Sequence, residues 1–160
     1  MLKSFFSPCI SIASCYLQRN ECRMDREYNL EKRLIDYACA TIDLVAKLPR
    51  TRAGSYIGGQ LIRSGNSPAF NYGEVQAAES RSDFIHKMRV VLKELKECRV
   101  ALSIIAIKGM IESTELLNAQ RKETEELISI IGKSIQTAEK NRGKEWKARG
   151  EAEQGSGGDS

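Results

Sequence analysis

Arg63-Ser64-Gly65-Asn66-Ser67-Pro68-Ala69-Phe70-Asn71-Tyr72-Gly73-Glu74 leads, a few residues on, into Ala77-Ala78-Glu79-Ser80-Arg81-Ser82-Asp83-Phe84-Ile85-His86-Lys87. A small, polar, nearly uncharged segment thus runs straight into a strongly amphipathic one. From Ser80 to Lys108 the residues Phe84, Met88, Val91, Leu92, Leu95, Cys98, Leu102 and Ile105 recur every three or four positions. That spacing is the period of one helix face. Ser80 or Ser82 supplies an N-cap with Asp83 in the first turn, where the helix dipole favours an anion. Gly109 supplies a left-handed terminator.

Upstream of the polar segment the chain also reads as helix. Leu30, Leu34, Ala38, Thr41 (or Ile42), Val45 and Leu48 keep the same period until Pro49, which lacks the amide donor a helix needs. A second helix begins near Ala53 and carries Gly54, Ser55, Gly58, Gly59, Ser64, Gly65, Ser67 and Ala69. Each interior glycine costs a helix about 1 kcal/mol relative to alanine, so packing against a neighbouring helix or subunit must compensate. Pro68 removes the hydrogen bond to the Ser64 carbonyl and is expected to kink or break the helix, with Asn66 and Ser67 positioned to satisfy the freed groups. Downstream, Ser113 or Thr114 caps a fourth helix with Leu116, Leu117, Leu127, Ile128, Ile131 and Ile135 as its buried positions. The expectation is an all-α, antiparallel, up-down-up-down four-helix bundle with a kinked second helix, spanning residues 24–139. Residues 140–160 read as a disordered, charged and Gly/Ser-rich tail.

Residues 1–23 read as an extension outside the fold. Their apolar run is broken by Ser4, Ser7, Pro8 and Ser11, which argues against the lipoprotein-like Ile12-Ala13-Ser14-Cys15 being a processing signal. Met24 is the expected start. No stretch approaches the ~20 apolar residues of a membrane span, so no membrane partner is expected. Of the five cysteines, Cys39 and Cys98 fall in apolar helical patterns and read as small buried hydrophobes of a reducing cytoplasm.

The composition and motifs argue against catalysis. His86 is the single histidine, and no nucleophile accompanies it in the local sequence. Paired CxxC units, phosphate loops and the Glu-x-x-His pairs of helical di-iron sites are all missing. No catalytic residue, metal ligand or cofactor is expected. The formal net charge is +4, but its placement is uneven. Between Lys47 and Lys108 eleven Lys or Arg face five acids (Glu74, Glu79, Asp83, Glu94 and Glu97). Arg89, Lys93 and Lys96 share one face of the third helix, with Arg99 beside them. Two readings stay open: a solvated face paired with acids of the fourth helix, or an electropositive surface for phosphate backbones formed by Arg63, Arg81, Lys87, Arg89, Lys93, Lys96 and Arg99. Arg121, Lys122 and Lys133 of the fourth helix lie close to acids in sequence and read as neutralised.

The polar segment and the Asp83-Phe84-Ile85-His86-Lys87 run resemble the bacterial four-helix bundle protein family, whose founding members are encoded in intervening sequences of large-subunit ribosomal RNA genes. The accessory variability protein of diversity-generating retroelements shares that fold. The resemblance covers about Tyr28 to Ile135, and its most specific positions are Ser64, Ser67, Asn71, Tyr72 and Glu74 in the second helix. Phe70 departs from it, standing where the family usually has a small residue. The resemblance implies a non-enzymatic homo-oligomer, by analogy a homopentamer. RNA or DNA and a reverse transcriptase are the partners it suggests. The other reading is a structural or protein-interaction module with no nucleic-acid partner. Basic residues paired one-to-one with fourth-helix acids would favour that second reading.

Overall fold

Two loop chemistries set the reversals at one end of the molecule, and a serine cap sets the reversal at the other. A computed structural model of the chain describes residues 29–112 and 114–155, with side chains of the last helix described as far as Arg142. The expectations for residues 1–23, the Met24 start, Ser113 and the last five residues lie outside these. Four helices follow one another: α1 Leu30–Val45, α2 Arg52–Gln76, α3 Arg81–Lys108 and α4 Thr114–Gly155. Helix α1 ends four residues before Pro49, and backbone bonds from Lys47 and Leu48 to Leu44 and Val45 tighten the chain out of it. Thr51 caps α2, its Oγ1 accepting from the Gly54 amide at 3.1 Å. Ser80 caps α3, its Oγ accepting from the Asp83 amide at 3.1 Å while the Asp83 carboxylate accepts from Glu79 N. Gly109 closes α3 at φ 58°, the left-handed geometry that glycine tolerates best.

Cross-helix contacts fix an antiparallel register all the way round. Glu31 meets Gln76, Thr41 meets Gly65, and Val45 meets Gly58, so α1 and α2 run opposite. Ser64 meets Cys98 across α2 and α3, Arg89 meets Glu139 and Arg99 meets Glu125 across α3 and α4, and Arg33 meets Glu126 while Thr41 meets Gln120 across α4 and α1. The up-down-up-down bundle of the sequence reading is what forms.

The glycines of α2 divide into two groups. A Cβ on Gly54 would collide with the Pro49 carbonyl oxygen, one on Gly58 would lie 3.0 Å from Val45 Cγ1, and one on Gly65 would lie 2.6 Å from Thr41 Cγ2. Gly58 and Gly65 let α1 approach α2 closely, and Gly54 leaves room for the Pro49 carbonyl of the connecting turn. Gly59 and Gly73 would meet nothing within 4 Å. Pro68 is buried, and α2 runs through it without a break. Asn66 donates to the Ile62 carbonyl and Asn71 to the Ser67 carbonyl. The side-chain bonds therefore reinforce neighbouring turns rather than the Ser64 carbonyl that Pro68 leaves without its helical amide.

The core is built from Leu34, Leu44, Leu61, Ile85, Met88, Val91, Leu95, Leu102, Ile105, Leu127 and Ile131, each at most 2% exposed. Ile85 and Ala101 join the α3 stripe, while Phe84 and Leu92 move to its half-buried edge; Leu116 and Ile128 do the same on α4. Cys98 is buried as expected, but Cys39 is exposed on α1. Through the middle of this apolar core runs a polar belt touching all four helices. Thr124 Oγ1 donates to the Gln120 carbonyl at 2.7 Å, so the Tyr37 hydroxyl donates to Thr124 at 2.8 Å. Thr41 donates to the Tyr37 carbonyl and accepts from Gln120 Nε2 at 2.8 Å. Ser64 donates to the Gln60 carbonyl and accepts from the Cys98 thiol at 3.3 Å. Among the described residues no buried side-chain nitrogen or oxygen lacks a partner, the condition under which buried polar groups are tolerated.

Helix α4 continues past residue 139, where the apolar period ends, as far as Gly155. The run Ala138 to Gln154 is rich in Ala, Glu, Lys and Arg, the residues with the highest helix propensities.

Candidate interaction face on the second and third helices

The predicted basic stripe is largely neutralised within the chain. Arg89 Nη2 lies 2.6 Å from Glu139 Oε1, and Arg99 Nη1 lies 3.9 Å from Glu125 Oε2, both acids of α4. Arg63 and Lys93 share the Glu97 carboxylate, at 3.6 and 3.7 Å. Lys87 bonds Asp83 at 2.8 Å, one turn back on its own helix. That bond holds the Asp83 carboxyl below its usual range and the Lys87 ammonium above its own. Arg81 is exposed at the start of α3. Lys96, exposed on the outer face of α3, has no acid within 4 Å among the described residues.

The fourth-helix cations reverse the expectation. Among the described residues, Arg121, Lys122 and Lys133 make no ion pair within 4 Å. The acids near them are engaged elsewhere: Glu123 and Glu126 hold the Arg33 guanidinium at 2.7 and 3.0 Å, and Glu125 faces Arg99. Sequence proximity pointed to the wrong partners because the register between helices decides them.

The polar motif of α2 does not converge on one point. Ser64 is in the core against Cys98. Asn71 bonds Ser67 Oγ at 2.8 Å as well as the Ser67 carbonyl, so this pair braces one turn of α2. Tyr72 is half-buried, its hydroxyl pushed to higher pKa by burial and by the Glu31 carboxylate. Glu74 is exposed, as is His86. Three helical metal ligands do not come together anywhere among the described residues.

What gathers instead is apolar. A groove of about 630 Å³ lies between α2 and α3, lined by Tyr56, Ile57, Leu92, Val100, Ala101 and Ile104, with Arg89, Lys93 and Lys96 along one side. Tyr56 is 66% exposed and Val100 57%, and Ile107, on the same face of α3, is 82% exposed. On α2 the outward positions include Gly59, Asn66, Phe70 and Gly73, with Phe70 78% exposed. Three further apolar residues of α3, Val90, Ala101 and Ile104, lie beyond its main stripe. Ala101 is in fact buried, Val90 half-buried, and only Ile104 is exposed. Tyr56, Phe70, Val100 and Ile107 were the residues the sequence reading missed. Their signal was present in the spacing Val100, Ile104, Ile107, which continues the Arg89, Lys93, Lys96 face toward the end of α3.

The fold and this face define an all-α, four-helix bundle of the short-loop, antiparallel class. The same fold occurs in the crystal structure of a protein of unknown function from the S23 ribosomal protein family of Bacteroides thetaiotaomicron. That likeness has a TM-score of 0.61 at 24% sequence identity, covering 66% of this chain and 97% of the other. No protein-family model matches the sequence, and no curated protein matches it. Among the described residues no helix is long and apolar enough to cross a membrane.

Proposed function

We propose that this chain is a non-catalytic bundle of the S23 type that works by assembling with copies of itself through the outer face of α2 and α3. One observation carries the reading. That face exposes Tyr56, Phe70, Val100 and Ile107, and it holds two helical glycines, Gly59 and Gly73, which nothing inside the chain requires. Large exposed apolar side chains on one side of a soluble bundle mark an interaction surface. Open glycines there suit a partner helix whose backbone comes close. Symmetric closure into a ring, with five copies as the number the family resemblance suggests, buries such a face on every subunit. Sedimentation velocity at micromolar concentration tests this. The wild type is expected to sediment as an oligomer, and Val100→Asp with Ile107→Asp is expected to yield a helical monomer. A monomeric wild type overturns the reading.

Nucleic-acid binding along the α3 stripe is the second reading, and Lys96 favours it as an exposed cation with no acid in range. The acids facing Arg63, Lys87, Arg89 and Lys93 weigh against it. If it holds, replacing Arg89, Lys93 and Lys96 by Gln weakens binding steeply and lowers its salt dependence.

A further inference from the structure

We infer that a notch between α3 and α4, formed by Arg99, Arg121 and Lys122, binds a phosphate group. The notch has a volume of about 170 Å³ and is lined also by Leu102, Ser103, Thr124 and Glu125. Space for five or six waters, at about 30 Å³ each, suits a tetrahedral oxyanion with part of its hydration. It is well below the ~300 Å³ or more of a pocket for a drug-sized organic ligand.

The charge balance supports an anion. Three cations line the notch against one carboxylate, Glu125, which Arg99 meets at 3.9 Å with both groups about half exposed. An exposed pair at that distance is worth little, so the Arg99 guanidinium can turn to a better acceptor. Arg121 and Lys122 make no ion pair among the described residues. Each has an acid four residues on, Glu125 and Glu126, but with the cation N-terminal to the acid, the weaker order on a helix. Glu126 is in any case held by Arg33 at 3.0 Å. Two guanidiniums and an ammonium on a concave surface are a fitting donor set for phosphate oxygens. The Ser103 hydroxyl already donates to the Arg99 carbonyl at 2.7 Å and fixes that edge of the notch. The notch shares none of its lining residues with the α2–α3 groove. It therefore does not depend on the assembly proposed above.

The phosphate can be free or carried on a polynucleotide, and two probes separate these sources. The first is a labelled oligouridylate followed by fluorescence anisotropy, compared across about 50 to 200 mM salt. The second is sodium phosphate added to the isotopically labelled full chain, with sodium chloride at matched ionic strength as control. The variants are Arg121→Gln with Lys122→Gln, and Arg89→Gln with Lys93→Gln, which removes the same charge elsewhere. Thermal melts confirm that both fold. If the notch takes phosphodiesters, the Arg121/Lys122 pair weakens oligouridylate binding at least about tenfold and reduces the single-strand salt slope by about 1.4, while the other pair changes binding less than threefold. If it takes free oxyanion, the oligomer does not bind, but phosphate shifts the Ser103, Arg121 and Lys122 amides saturably and the Arg121/Lys122 pair abolishes this. The inference is overturned if neither probe binds, if both pairs weaken binding equally, or if only the Arg89/Lys93 pair does.

Discussion

The seam that α1 makes with α2 and α4 differs from the outer face of α2 and α3 in one respect: it is complete within the chain. Within that seam the buried glycine, the buried hydroxyls and the half-buried arginine each have their reason nearby. Gly65 is bare because Thr41 fills the space, Thr41 is oriented by Gln120, and Tyr37 is satisfied by Thr124. Arg33, the cation of that seam, is held by two carboxylates. On the α2–α3 side the same kinds of residue occur without a counterpart. Gly59 and Gly73 have open space, and Tyr56 and Phe70 face solvent. Similar composition thus serves folding on one side and association on the other.

Substituting matched residues on the two sides tests that contrast most sharply. Tyr37→Ala removes a fully buried ring and the hydroxyl that bonds Thr124, and is expected to cost about 3–5 kcal/mol in urea unfolding. Tyr56→Ala should leave the unfolding free energy of the isolated subunit within about 0.5 kcal/mol while weakening self-association. Comparable losses at both tyrosines would erase the distinction. Next in size is Gly65→Ala, whose added methyl meets Thr41, a side chain with no freedom to move. About 1–3 kcal/mol of destabilisation is expected from overpacking.

Alkali probes the same seam. Burial raises the Tyr37 hydroxyl above the usual tyrosine range, with the Cys98 thiolate adding to the effect, and burial likewise raises Cys98. In the unfolded chain these groups lose their protons near about pH 10 and 8.5, whereas the folded protein keeps them. The unfolded state then binds fewer protons, so stability is intact below those values and falls as pH rises, by up to about 1.4 kcal/mol per pH unit for each group. The urea midpoint should drop between pH 9 and 11, about the range these values set, and Tyr37→Phe should flatten its upper part. An unchanged slope in that variant would mean that Tyr37 keeps an ordinary affinity for its proton. The smallest effect is the most telling. Gly59→Ala should stabilise the isolated subunit by about 1 kcal/mol through helix propensity, yet loosen the assembly. If it strengthens both, the open glycine has no partner to accommodate.

Local chemistry made much of the fold readable. Ser80 and Gly109 announce the ends of α3 through groups within four residues of them, and the apolar period of α3 needs no distant information. The polar belt was not readable. Gln120 and Thr124 interrupt the apolar pattern of α4 and look like solvent positions until Tyr37 and Thr41 arrive from a helix some eighty residues away. The ion pairs were misassigned for the same reason. Arg121 has an acid at the right helical spacing, but α1 and α3 claim the carboxylates of α4 first. Of the candidate face, the three cations Arg89, Lys93 and Lys96 were visible from spacing. Which of them would be neutralised was not: Glu139 reaches Arg89 from α4 through tertiary packing, and Lys93 shares the Glu97 carboxylate one turn on with Arg63 of α2, while Lys96 keeps no acid in range among the described residues.

Thr41 stands between Gly65 of α2 and Gln120 of α4, with its hydroxyl committed to both the Tyr37 carbonyl and the Gln120 amide. The two flanking positions are therefore linked in what substitutions they tolerate. A bulkier residue at Gly65 has to displace Thr41, and once Thr41 moves the Gln120 amide loses the closer of its two acceptors and keeps only the Tyr37 carbonyl. A Gln120 variant that no longer needs Thr41 frees that side chain to turn away, which makes a larger residue at Gly65 easier to accept. In a double-mutant cycle the pair should show a coupling energy well above experimental error. Among diverging copies of this chain, changes at residues 65 and 120 should accordingly arise together more often than their separation in sequence suggests.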